Sequence, residues 1–266
     1  MTLDGSDSGM MNAEHDVVAF SQSDAYALAR SKLVVALDRP TAEEAYKLIR
    51  QLGNSVEVYK VGLELVLSPG GLAFAEQLQR EGKKIFLDMK LLDIPNTVEK
   101  AVANVARLGF DFLTVHGIDR KTLDAAIRGR DSVGPRLKLL SVTVLTSISQ
   151  RDLNEQGASE SPRELVVRRA KMACDAGFDG VIASGHEACL IKTATTQQNS
   201  NFIIKVPGIR LANSAVGDQT RVMTPAQAID AGATYLVIGR PITEAKDPLL
   251  AVHEIVDEIS LALRKP

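Results

Sequence analysis

The sequence predicts an α/β chain folded as a single-domain (β/α)8, or TIM, barrel, and three observations support this. Eight short β-branched runs recur along it, helical segments with explicit start and stop signals separate them, and the eight units fill about 235 residues, near the ~250 typical of such a barrel. The runs span residues 33–37, 56–61, 84–89, 112–115, 137–144, 180–182, 202–206 and 235–238. Most are continuous apolar stretches rather than alternating ones, as expected for parallel strands covered on their outer face by helices.

Before the first run, the chain opens with a Ser-, Asp-, Gly- and Asn-rich stretch with little apolar periodicity. Residues 1–30 are therefore expected to form a loose N-terminal arm, and residues 31–266 the barrel catalytic domain. Thr41 with Glu44, and Ser161-Pro162-Arg163-Glu164, carry capping-box patterns. Thr224-Pro225 and Asp247-Pro248 repeat the cap-then-proline device, while Gly53, Gly82, Gly109, Gly177 and Gly232 fall where helices should stop.

Composition narrows the function. Hydrophobic residues make up 45% of the 266 and charged residues 24%, an ordinary globular balance, and a net charge of −2 is too even for a protein that coats nucleic acid. No apolar run approaches the ~20 residues of a membrane span, and the acidic, polar start differs from a basic secretory leader. Cys174 and Cys189 form no CxxC pair, so reduced thiols and a cytoplasmic location are expected. His15, His116, His186 and His253 are scattered without metal-ligand spacing, and no GxSxG elbow or Walker loop occurs. His116 follows the fourth run, where an ordinary structural role is the expectation.

Active sites of such barrels lie at the C-terminal strand ends, so the residues closing each run carry the chemistry. Asp38 ends the first, Lys60 the second, and Asp88-Met89-Lys90 the third. Strand side chains alternate with period two, so Asp88 and Lys90 are expected on one side, beside Asp38 and Lys60. Four ionisable groups of alternating sign at one barrel mouth mark a functional site, because burying charge is costly unless it is paired. Leu145-Thr146-Ser147 closes the fifth run. The seventh leads through Pro207-Gly208-Ile209-Arg210 to Gly217-Asp218-Gln219, and Gly239-Arg240 follows the eighth. Glycines that admit backbone N–H groups, with arginine's planar fork, suit a phosphate at those two loops.

These motifs are VALD (35–38), YKVGLEL (59–65), FLDMKLLDIPNTV (86–98), VLTS (144–147), VPGIR (206–210), GDQTR (217–221) and IGRPIT (238–243). In this order they resemble the orotidine 5′-monophosphate decarboxylase family across residues 31–264. The resemblance implies cofactor-free and metal-free conversion of orotidine 5′-monophosphate to UMP and CO2. It assigns Lys60, Asp88, Lys90 and Asp93 to the charged array at the reacting carbon, with Lys90 as proton donor. It implies a homodimer in which Asp93 and Thr97 reach the neighbouring subunit's site. Asp38 and Lys60 would hold the ribose, and Thr146 would assist at the pyrimidine. Arg210, Gln219, Gly239 and Arg240 would take the phosphate, Gln219 on a closing loop. Many relatives have histidine where this chain has Leu92, and a different turn at residues 117–120. Two alternatives stay open at this point: a metal-dependent sugar-phosphate decarboxylase or aldol-type synthase on the same DxKxxD strand, and a catalytically silent nucleotide binder.

Overall fold

A computed structural model of the protein describes residues 22–211 and 223–265. All eight expected runs become strands: β1 (Leu33–Ala36), β2 (Val58–Gly62), β3 (Lys84–Leu91), β4 (Phe112–His116), β5 (Lys138–Val142), β6 (Gly180–Ile182), β7 (Ile203–Val206) and β8 (Tyr235–Ile238). Each pairs in parallel with the next, and β1 pairs with β8 (Leu33 with Leu236, Val35 with Ile238), closing the barrel.

The outer ring contains α2 (Ala42–Leu52), α4 (Gly71–Arg80), α5 (Pro95–Leu108), α6 (Arg120–Asp131), α8 (Pro162–Asp175), α9 (Gly185–Thr195), α10 (Pro225–Asp230) and α12 (Pro248–Leu263). Short helices α3 (Leu63–Val66), α7 (Gln150–Glu155) and α11 (Arg240–Thr243) decorate the strand ends. The caps fall where the sequence placed them. Thr41 accepts from the Glu44 amide, Ser161 and Thr224 form complete capping boxes, and Asp247 accepts from Leu250. Each such cap contributes ~1 kcal/mol. The five stop glycines all take positive φ.

One expected boundary is corrected. Within the arm drawn to residue 30, the segment Gln22–Lys32 is a helix, α1, with Ala25 and Ala29 buried and with contacts to α12. Two small side chains let the helix lie close to its neighbour, and the Arg30 to Glu57 ion pair at 2.8 Å ties it to the barrel's N-terminal side.

Two apolar layers result. Between strands and helices lie residues such as Leu33, Val35, Ile85, Leu113, Ile204 and Ile255, and inside the barrel lie Val34, Val58, Phe86, Phe112, Leu140 and Val237. Fully burying each large aliphatic side chain contributes ~1.5–3 kcal/mol. The strand ends thus become a rigid platform for polar groups.

Candidate active site

At the C-terminal mouth a cavity of about 580 Å³ opens, floored by Ala36, Phe86, Val142, Ile182 and Val237. Asp38, Lys60, Asp88 and Lys90 stand on one side of it, joined as a chain of alternating charge. Lys60 Nζ lies 2.7 Å from Asp38 Oδ1 and 3.7 Å from Asp88 Oδ2, and Lys90 Nζ lies 2.7 Å from the same Asp88 oxygen. The other Asp88 oxygen accepts from Thr114 Oγ1 at 2.9 Å. Gly62 makes room for this arrangement, since a Cβ there would stand 2.9 Å from Lys60 Nζ.

Lys90 meets Asp88 by a route that period-two alternation did not foresee. Pairing of β3 with β4 slips between Leu87 and Leu91, and Lys90 adopts φ 48°, the one non-glycine positive φ among the described residues. Its amide donates to Thr114 Oγ1 at 2.9 Å instead of to the strand ladder. A left-handed lysine costs ~1–2 kcal/mol, and such strain persists where the surroundings enforce it. Here the bulge turns the ammonium back onto Asp88 and into the cavity.

Burial of Asp88 opposes its ionisation, but the charges of Lys60 and Lys90 and hydrogen bonds from Lys90 and Thr114 outweigh it. They hold the carboxyl below the ordinary value of 3.8. A carboxyl more acidic in the folded than in the unfolded chain adds stability above the unfolded value, and that stability is lost as pH falls through the folded one. Thermal unfolding followed from about pH 5 to pH 2 is therefore expected to show a shallower acid loss in Asp88→Asn than in the unsubstituted protein. An identical slope would contradict this pairing.

Pro207, Gly208, Arg210, Gly239 and Arg240, from the ends of β7 and β8, line the same cavity, as does Thr146 after β5. Gly208 takes φ 77°, a turn that an L side chain disfavours. Arg210 is buried, its amide donates to the Met223 carbonyl at 3.0 Å, and Ile209 bridges to Met223. Gln219 lies outside the described residues. Arg240 begins α11 at the rim, and Arg39 donates to the Thr243 carbonyl at the other end of that helix.

Asp93 and Thr97 do not line this cavity. Both are exposed, Asp93 accepts from the Ile94 amide at 2.7 Å, and Thr97 sits in the first turn of α5. They lie beside the exposed Leu92 and Ile94, 51% and 66% accessible. His116 is half-buried outside the cavity lining, and burial together with the Lys90 and Arg169 charges lowers its proton affinity. Sequence reading missed Thr114, Glu64 and Glu244, the last two on the cavity wall. For Thr114 a signal existed: in the register Phe112, Thr114, His116 it is a polar group at an inward position of a barrel strand.

A closed parallel barrel with paired lysines and carboxylates and two arginines lining one cavity at its mouth defines a class, a TIM-barrel enzyme acting on small anionic molecules. The sequence pattern described as "Orotidine 5'-phosphate decarboxylase / HUMPS family" matches residues 31–255, and the chain belongs to that family. It is 49% identical over 234 residues to the orotidine 5'-phosphate decarboxylase of Methylobacterium sp. (strain 4-46), covering 88% of this chain and 97% of that protein. It is 48% identical over 233 residues to the orotidine 5'-phosphate decarboxylase of Afipia carboxidovorans, covering 88% and 96%. The crystal structure of orotidine 5'-phosphate decarboxylase from Lactobacillus acidophilus superposes with a TM-score of 0.75 at 37% identity, covering 85% of this chain and 98% of that one.

Proposed function

We infer that the chain decarboxylates orotidine 5′-monophosphate to UMP and CO2, the final step of pyrimidine nucleotide synthesis, without a cofactor. The observation that carries this reading is the Asp38–Lys60–Asp88–Lys90 chain of paired charges, which ends with a lysine turned into the cavity. Loss of CO2 breaks the bond from carbon 6 to the carboxylate and leaves the electron pair on carbon 6. A positive Lys90 held there stabilises the growing charge and then transfers its proton to that carbon, and solvent reprotonates the amine. Asp88 and Lys60 fix Lys90 before substrate arrives, which avoids reorganisation during the reaction. Lys60 and Asp38 take the ribose hydroxyls, Thr146 the pyrimidine, and Arg210, Gln219, Gly239 and Arg240 the phosphate. Release of labelled CO2 from carboxyl-labelled orotidine 5′-monophosphate tests the reading, and intact nucleotide would overturn it.

Phosphate binding far from carbon 6 supplies energy that can be used at the reacting centre. Arg240→Ala is expected to lower kcat/KM for the phosphorylated substrate about a hundredfold, the worth of one or two charged hydrogen bonds. It should leave the far slower reaction of the unphosphorylated nucleoside unchanged. Equal losses on both substrates would contradict the assignment.

The working unit is proposed to be a cytoplasmic homodimer, with Asp93 and Thr97 of each copy completing the neighbour's site. Two features support it: these residues are exposed and outside their own cavity's lining, and the exposed Leu67, Leu92, Ile94 and Ile118 come shortly after β2, β3 and β4 in the chain. In support of the compartment, Cys174 and Cys189 are free thiols. Mixing Lys90→Ala with Asp93→Ala subunits tests the composite site. Random reassociation restores one intact site in each hybrid dimer, so activity should recover to about a quarter of the unsubstituted level. No recovery would argue for sites complete within one chain.

A further inference from the structure

Beneath the cavity floor the barrel buries a third lysine, which none of the steps above uses. Lys205 lies on β7, one inward layer below Pro207, and is fully buried. Its Nζ has no hydrogen-bond partner among the described residues. Three aromatic rings surround it instead: Phe112 with its centroid 3.2 Å away, Phe86 at 4.4 Å and Tyr235 at 4.5 Å. The rings meet edge to face, Phe86 with Phe112 at 6.2 Å and Phe112 with Tyr235 at 5.6 Å. Ring faces attract an ammonium, and a desolvated cage strengthens that attraction.

The location makes this more than core packing. Phe86 forms part of the cavity floor and also faces Nζ, so one ring separates Lys205 from the space where substrate would lie. Asp88 follows Phe86 by two residues on the same strand. We propose that Lys205 is a positioning residue of the decarboxylase site, whose ammonium pins the Phe86 floor and adds positive potential beneath Asp88 and the reacting carbon, and whose deprotonation slows catalysis. The proposal rests on the decarboxylase reading of the cavity above it.

The surroundings act on this proton in opposite directions. Burial presses the lysine's proton affinity well below the ordinary 10.5, while Asp111 and Asp88 act in the opposite direction. Asp111, just before β4, accepts from the Ile85 amide at 2.8 Å. On β8 the titratable neighbour is Tyr235, whose hydroxyl is held protonated by burial and by Asp111. Val34, Val58, Leu140 and Val237, from β1, β2, β5 and β8, bring only aliphatic groups to this layer. Three rings in contact and the charges of Asp111 and Asp88 thus favour the ammonium, and burial opposes it.

The test is the pH dependence of kcat and KM for orotidine 5′-monophosphate in the unsubstituted protein, Lys205→Met and Phe112→Leu. Methionine keeps the approximate volume without the charge, and no hydrogen bond among the described residues is lost with the Lys205 ammonium. In the unsubstituted protein kcat should fall as pH rises through the Lys205 titration, with KM nearly constant. Lys205→Met should have kcat about tenfold below the acid-side plateau and flat through that range, with KM again unchanged. Phe112→Leu removes the nearest ring and so should move the fall to lower pH by about one unit. A Lys205→Met protein with unaltered kcat and pH profile, or a Phe112→Leu protein whose fall stays in place, would overturn the proposal while leaving the decarboxylase reading standing. Failure of the unsubstituted protein to consume the nucleotide would overturn both.

Discussion

Lys90→Ala should lose at least about 10⁴-fold in kcat for orotidine 5′-monophosphate, because one side chain carries both electrostatic stabilisation and proton transfer, each worth ~10²–10⁴. The fold should survive. The Lys90 side chain is 30% exposed, its amide bond to Thr114 is made by the backbone, and alanine bears no larger penalty at φ 48° than lysine does. Lys90→Arg separates the two roles: it keeps a positive charge but holds its proton too firmly to release it. It should therefore regain part of the loss and no more. Substantial decarboxylation by Lys90→Ala, measured in single turnovers on protein with an unchanged thermal transition, would remove Lys90 from the proton-donor role.

Asp88→Ala should have the next largest effect, about 10³-fold in kcat, accompanied by a loss of stability. Asp88 is the shared partner of Lys60, Lys90 and Thr114, and its side chain is only 11% exposed. Removing it takes the carboxylate from Lys90 and leaves Lys60 paired with Asp38 alone, and breaking a buried charge pair from one side costs ~3–5 kcal/mol. The shape-preserving Asp88→Asn separates two accounts of the carboxylate. If it acted by repelling the substrate's carboxylate, charges about 4 Å apart would interact by ~4 kcal/mol at an effective dielectric of 20, and Asp88→Asn would bind substrate much more tightly. If it acts by fixing the lysines, kcat falls while KM stays within a few-fold. The geometry favours the second, since both ammonium groups converge on a single Asp88 oxygen.

The barrel was legible because every structural level agreed. Apolar runs, caps and glycine stops all marked the same boundaries, and strands such as 180–182 and 235–238 fall at the expected residues. Helix α1 escaped notice because Ala25 and Ala29 bury too little apolar surface to set up a visible period. The contact between Asp88 and Lys90 was legible, but the bulge that makes it was not, since backbone strain at Lys90 depends on Thr114 from the next strand. Thr114 and Lys205 were missed for a shared reason. Barrel strands are buried on both faces, so an inward polar residue does not interrupt an alternation that was never there. Lys205 stood as the one charge in the apolar run 202–206, and only the rings converging from β3, β4 and β8 give it meaning. Asp93 and Thr97 took their roles from family resemblance, as nothing within one chain directs them to a site.

The most direct test of the central claim is the fall in orotidine 5′-monophosphate absorbance with purified protein, run in EDTA and again with added magnesium. The account predicts rapid conversion to UMP at the same rate in both. No conversion, or conversion that requires the metal, would contradict it and point to the metal-dependent chemistry of sugar-phosphate enzymes on the same scaffold.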